Sequence, residues 1–126
     1  MMIIRQENSL PESQYAKTDH WESFRIFVKK DQLGCSFHKC INKANTEHVL
    51  WYKNHKEIVV IVDGLAEVVN LSTGETHSLG PGSAYALTGD RHIFRAITEV
   101  TSYCVFLPGL NGDEVPDEDG VYPANE

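Results

Sequence analysis

Glu57-Ile58-Val59-Val60-Ile61-Val62-Asp63-Gly64 is the stretch that decides the architecture. Its aliphatic run, Ile58 to Val62, falls far short of the ~20 residues that span a bilayer. No helical period surrounds it, so it reads as one strand ending in an Asp-Gly turn. The same grammar repeats outward in both directions. Short β-rich runs lie near 22–29, 35–41, 46–51, 57–63, 66–70, 75–79, 83–87, 92–96 and 101–107. Between them stand turn sequences such as Lys30-Asp31-Gln32-Leu33-Gly34, Ser72-Thr73-Gly74, Gly80-Pro81-Gly82 and Thr88-Gly89-Asp90, in which Gly supplies φ > 0 and Pro fixes φ. Strands punctuated at roughly eight- to twelve-residue spacing predict an all-β sandwich or barrel. The one helical candidate is a single turn around Glu12 to Lys17.

The chain has 126 residues, 41% of them hydrophobic and 10% aromatic, which is enough for one domain with its own core and excludes a two-domain cleft. The formal net charge is -7. Six acids (Asp113, Glu114, Asp117, Glu118, Asp119, Glu126) fall in residues 113–126 without a Lys or Arg, so residues 1–112 are near neutral. No basic cluster marks a nucleic-acid binder. Charged residues near the start (Arg5, Glu7) argue against a signal peptide or membrane span. Cys35, Cys40 and Cys104 form no C-x-x-C pair, and their odd number favours a reducing cytoplasm over a disulfide framework. We divide the chain into an N-terminal segment (1–20), a barrel (21–107) and an acidic C-terminal flap or tail (108–126) whose order is expected to depend on substrate.

Two spacings resemble those of the cupin double-stranded β-helix. Glu57 to Gly64 has the E-x6-G of the first cupin motif, and Gly89-Asp90-Arg91-His92 has the G-x-x-H of the second. The histidines that usually precede the glutamate are replaced by Trp51, Tyr52 and Lys53, so a His-rich site is excluded. A metal could still be held by Glu57 and His92 with Tyr85, which shares a strand face with Ser83 and Leu87. Carboxylate, phenolate and imidazole together suit iron(II) better than a closed zinc site. Without a metal, the three would be a strand-end carboxylate, a phenol at the barrel mouth and a hydrogen-bonded imidazole.

A longer set of segments resembles ectoine synthase, a small cupin enzyme: Trp21-Glu22-Ser23-Phe24-Arg25, Gly34-Cys35-Ser36-Phe37-His38, Tyr52-Lys53-Asn54-His55-Lys56-Glu57, Gly80-Pro81-Gly82 with Tyr85-Ala86-Leu87, Asp90-Arg91-His92, Cys104-Val105-Phe106, and Glu114-Val115 with Asp117-Glu118, Gly120 and Tyr122-Pro123. The resemblance implies Fe(2+) on Glu57, Tyr85 and His92, other divalent ions also being compatible. It implies a substrate wall of Trp21, Ser23, Arg25, Cys40, Cys104 and Phe106, and a hydro-lyase that cyclises N-γ-acetyl-L-2,4-diaminobutyrate to the compatible solute ectoine, a response to osmotic stress. Arg25 is the natural carboxylate partner, since its planar fork is bidentate. Tyr52, Glu114 and His55 are the candidates for proton transfer. Asp90 is read as a turn residue or a partner of His92.

The chain departs from that pattern at Cys40, where the family usually has Thr, at Pro116, where it usually has His, and at Leu107-Pro108-Gly109. The loop before His92 is also one residue shorter. A cupin that binds ectoine or another small amino-acid derivative without turnover, a cyclase for another acylated diamino acid, and a metal-free barrel that only dimerises are the competing readings. A homodimer is expected, because Phe37 and Val105 lie on strand faces opposite the proposed pocket and need cover.

Overall fold

In the computed structural model, which describes residues 1–112, the described residues form ten strands: β1 (Tyr15–Lys17), β2 (Trp21–Phe27), β3 (Ser36–Asn42), β4 (Thr46–Trp51), β5 (Lys56–Asp63), β6 (Ala66–Asn70), β7 (Thr76–Leu79), β8 (Ala84–Leu87), β9 (Arg91–Ala96) and β10 (Val100–Leu107). One antiparallel sheet runs β1-β2-β3-β10-β5-β8 and the other β4-β9-β6-β7. Because β4, β6, β7 and β9 lie in the second sheet, the chain changes sheet again and again, and the two inner faces close on one core. This is the predicted all-β cupin architecture. Side chains along each strand alternate between core and surface, as the period of two requires: in β5 Glu57, Val59 and Ile61 are buried while Lys56, Ile58 and Val62 are exposed. Val59, Ile61, Ala66, Val68, Leu79, Leu87, Phe94, Ala96 and Val100 pack together, each large member contributing roughly 1.5–3 kcal/mol by leaving water.

The helical turn expected over Glu12 to Lys17 is corrected. Only Glu12–Gln14 is helical, as a 3-10 turn, and Tyr15–Lys17 is the edge strand β1. Tyr15 pairs with Phe24 across the β1–β2 register with ring centroids 5.1 Å apart, and this aromatic contact outweighs the local preference for a helix. The N-terminal segment is further tied down by Arg5, whose guanidinium donates to both carboxylate oxygens of Asp31 at 2.6 and 2.8 Å.

The barrel has a closed end and a mouth. At the closed end the β5–β6 and β9–β10 connections lock together: Leu65 donates to Thr98 Oγ1 at 2.9 Å and accepts from Ile97 N at 2.9 Å. Gly64 sits between them at φ +90, and a Cβ there would lie 2.1 Å from the Glu99 carbonyl oxygen. The turn glycine of the E-x6-G spacing is therefore demanded twice, by backbone conformation and by space. At the mouth lie the start of β5, the ends of β8 and β10, the start of β9 and the β2–β3 connection.

Across that mouth lie residues 108–112, the start of the expected flap or tail. Leu110 is 1% exposed, its N–H donates to Ser36 Oγ at 2.8 Å, and its carbonyl accepts from Lys29 N at 2.7 Å. Leu110 with these two bonds, and the Pro108 and Gly112 carbonyls accepting from His55 and Arg25, hold a strap that carries no strand pattern. The remainder of the expected flap, 113–126, lies outside the described residues.

Gly64→Ala should destabilise the protein by more than about 2 kcal/mol, the sum of strain and a backbone clash. Gly74→Ala, also at positive φ but with open space around it, should cost only about 1 kcal/mol. Urea unfolding of the two variants checks this, and equal losses would contradict the packing at the closed end.

Candidate active site

The inner face of the six-stranded sheet carries a polar row that crosses five strands. Ser23 of β2 pairs with Cys40 of β3; Cys40 and Cys104 are diagonal neighbours between β3 and β10; Cys104 and Glu57 are diagonal between β10 and β5; Glu57 and Tyr85 are diagonal between β5 and β8. Cys40 and Cys104 interact electrostatically with each other and with the Glu57 carboxyl along this row. Burial pushes the Glu57 carboxyl well above the usual carboxylate range, and the facing Cys40 adds to the effect. Burial also raises the Tyr85 phenol, with the Glu57 charge second. Both groups resist ionisation because no cation faces them among the described residues.

The second sheet supplies His92, 1% exposed at the start of β9. Its Nδ1–H donates to the Asp90 carbonyl oxygen at 3.0 Å. That bond fixes the ring and puts the lone pair on Nε2, the arrangement of a ligating histidine. Burial lowers the basicity of the ring, keeping it neutral. Asp90 is the partner expected from sequence, through its backbone, while its carboxylate caps the turn by accepting from Thr88 N at 3.2 Å.

Phe106 gathers the mouth residues. Its ring meets Tyr52 edge-on with centroids 5.1 Å apart, His38 at 5.4 Å and His55 at 6.0 Å, and Tyr52 in turn lies 5.7 Å from His92. Tyr52 and His55 reach it from the β4–β5 connection, where His55 Nδ1–H donates to the Pro108 carbonyl at 3.0 Å. Two of the three proposed proton-transfer residues are therefore beside the proposed substrate wall. The third, Glu114, lies outside the described residues, as does Pro116.

Arg25 is 1% exposed. Its Nη1 donates to the Gly112 carbonyl at 2.8 Å and its Nε to Ser23 Oγ at 3.4 Å, while the buried Nη2 has no partner among the described residues. A buried guanidinium donor without an acceptor is costly unless a ligand supplies one. Trp21 begins the same strand and is half-buried opposite Asn42, at the far end of β2 from the Phe106 cluster.

Ser36 and His38 belong to a segment that carries the family resemblance, Gly34 to His38, but were given no part in the site. His38 is 1% exposed and its Nε2 shares a 2.8 Å hydrogen bond with Ser36 Oγ, the atom that also receives Leu110 N–H. Burial first, then the charge of Arg25, lowers its pKa to about 3. Gly112 was missed altogether, because it acts through a carbonyl oxygen that any residue type possesses. No three His, Cys, Asp or Glu side chains among the described residues cluster to hold a metal.

The ectoine synthase family profile matches residues 2–126. The chain is 44% identical over 124 residues to the L-ectoine synthase of Hahella chejuensis, covering 97% of this chain and 94% of that protein. Its fold is similar to the crystal structure of ectoine synthase from P. lautus, with a TM-score of 0.86, 35% identity, and coverage of 99% of this chain and 94% of that one. A cupin domain of a transcriptional regulator from Enterobacter cloacae is 19% identical with a TM-score of 0.57, over 71% of this chain and 97% of that one, and shows the fold alone.

The neutral His38 makes a pH prediction. In the unfolded chain a histidine titrates near ~6.5, so between that value and about 3 the unfolded state binds a proton that the folded state refuses. Stability present above the unfolded pKa is lost as pH falls. Between about pH 6 and about pH 4, His38→Asn should flatten the fall in unfolding free energy by about 1 kcal/mol per pH unit. Urea titrations at several pH values check it; an unchanged slope would place the proton load elsewhere.

Proposed function

The chain belongs to the ectoine synthase family, and we propose that it closes N-γ-acetyl-L-2,4-diaminobutyrate to ectoine with loss of water, using Glu57, Tyr85 and His92 as ligands for iron(II). The observation that carries this reading is that the inner face holds a buried carboxyl and phenol with no facing cation among the described residues, and a buried arginine donor with no partner among them. This face calls for a cation beside Glu57 and Tyr85 and for an anion beside Arg25, and the proposed pair of metal and amino-acid carboxylate supplies both. The donor set fits the ion: two oxygens whose ionisation burial opposes would ionise readily beside a dication, and His92 offers Nε2. When bound, the metal polarises the acetamide oxygen as a Lewis acid.

The rest falls to side chains. Arg25 Nη2 takes the substrate carboxylate, held in place by Gly112 and Ser23. The Phe106 and Tyr52 rings bound the chain so that it folds back on itself, bringing the α-amine to the acetamide carbon, a positioning effect that can contribute several kcal/mol. The new carbon–nitrogen bond forms as the carbonyl π electrons move to oxygen. That oxygen leaves as water, carrying two protons that originate on the amine, and the cyclic amidine remains. Tyr52, His55 and Glu114 are the groups proposed to move those protons. The neutral form of the amine is favoured in a buried site next to a guanidinium.

The proposal extends to a homodimer, supported by the outer face of the same sheet. Val105 pairs with Phe37, the Phe37 and Tyr103 rings stack at 5.7 Å, and Ile58 is 49% exposed beside them on β5. A second copy covering this apolar face completes the proposal. No helix among the described residues is long and apolar enough to cross a membrane, which is compatible with the proposed cytoplasmic setting.

Incubating the iron(II)-loaded protein with N-γ-acetyl-L-2,4-diaminobutyrate should give ectoine by NMR. Arg25→Ala should raise KM by at least about tenfold, about 1.4 kcal/mol of lost binding, with a smaller effect on kcat. Ectoine formation with an unaltered KM in the variant would remove Arg25 from the carboxylate site, and absence of product from the wild type would remove the substrate.

A further inference from the structure

His38 is a buried imidazole to which the cyclisation assigns no task. It lies on the inner face of β3, opposite Arg25 of β2 and Cys104 of β10. The Phe106 ring meets it at 89° with centroids 5.4 Å apart, which holds its plane. Its Nε2 lies 2.8 Å from the hydroxyl oxygen of the fully buried Ser36, and the Leu110 N–H reaches that same oxygen at 2.8 Å. Among the described residues Ser36 Oγ has no third partner.

These two contacts fix where the protons lie. A backbone N–H can only donate, so toward Leu110 the Ser36 oxygen is an acceptor. Were the ring to donate as well, from Nε2–H, the serine proton would be left in a dry core with nothing to receive it, the full desolvation penalty of a buried donor. Ser36 therefore donates to the Nε2 lone pair, and the ring proton sits on Nδ1. The bonds run one way, from Leu110 N–H to Ser36 Oγ and from Ser36 O–H to His38 Nε2. Two residues beyond Leu110 the same strap delivers Gly112, whose carbonyl accepts from Arg25 Nη1 at 2.8 Å. Gly112 has little room to move, since it stands at φ +115 and a Cβ there would lie 2.9 Å from Val28 Cγ1. The hydrogen bonds of His38 and Arg25 do not join the two side chains directly. The strap is the hydrogen-bonded route between them.

We propose that His38 is a positioning residue for the carboxylate site: by accepting the Ser36 proton it keeps a Ser36 lone pair turned to Leu110 N–H, which sets the strap and, through the Gly112 carbonyl, the guanidinium of Arg25. What position 38 must supply is an acceptor, not a base. His38→Gln offers an amide oxygen at a reach comparable to Nε2 and satisfies the same bond, whereas His38→Phe keeps the ring and loses the acceptor. The part Arg25 plays toward substrate rests on the proposed reaction; the setting of its guanidinium does not.

The test compares full-length His38→Phe, Ser36→Ala and His38→Gln with the wild type. Hydrogen exchange of the Leu110 amide, followed by NMR, reads the strap, and the Arg25 Nε–H resonance, which reports the bond to Ser23 Oγ, reads the guanidinium. His38→Phe and Ser36→Ala should each speed Leu110 exchange by about tenfold or more and shift the Arg25 signal, while His38→Gln should stay within about threefold of the wild type. With N-γ-acetyl-L-2,4-diaminobutyrate, KM should rise by about threefold or more in the first two variants, kcat changing less, and recover in His38→Gln. Should His38→Phe not fold, His38→Leu, which also lacks the acceptor, takes its place. Unchanged Leu110 exchange in the variants without the bond, a His38→Gln protein no better than His38→Phe, or faster exchange with an unmoved Arg25 signal would each overturn the proposal. The expected exchange and Arg25 signals in a protein whose wild type forms no ectoine would leave it standing and count against the assigned reaction instead.

Discussion

Glu57 is a carboxyl group enclosed in an all-β core with a thiol as its polar neighbour and no cation of the described chain to pair with. An isolated carboxylate in such a place is costly by several kcal/mol, so the group either stays protonated or waits for a positive charge. The surrounding structure is arranged around that choice. Tyr85 lies diagonally across β8, raised for the same reason, and the opposite sheet contributes a neutral imidazole with its Nε2 turned free by the Asp90 carbonyl. These three groups, each disfavouring charge alone, are the donors proposed to share one dication.

Precision at the mouth comes from the other end of the barrel. β5 carries Glu57 at its start and Gly64 at its finish, and Gly64 lets the β5–β6 corner lie against the Glu99 carbonyl. With the closed end locked, a slip of one residue in β5 would turn Glu57 outward and Ile58 inward. At the open end the 108–112 strap does comparable service for Arg25, since the Gly112 carbonyl orients the guanidinium and Leu110 anchors the strap to Ser36. Positioning thus rests on backbone groups more than on side chains.

That division explains what could be read in advance. The alternation in 57–64 and the glycine after it were legible because strand period and positive φ leave marks in residue type. Faces were legible for the same reason: Tyr85 with Ser83 and Leu87, and Phe37 and Val105 opposite the proposed pocket. The adjacency of those faces was not, since β10 inserts between β3 and β5 and such non-local pairing has no local signature; resemblance to the family stood in for it. Strand β1 escaped because three residues are too few to show a period and its stability comes from Tyr15 on Phe24. The strap and the Asp90 bond escaped because carbonyl oxygens do the holding.

The central claim is that one residue from each of β5, β8 and β9 converges on a single ion, and a spectrum of the loaded protein tests it most directly. Iron-loaded protein, oxidised to the ferric state, should bind about one iron per chain and show a visible phenolate-to-iron charge-transfer band that disappears in Tyr85→Phe. A band that persists in Tyr85→Phe, or loaded iron with no such band in the wild type, would contradict the account.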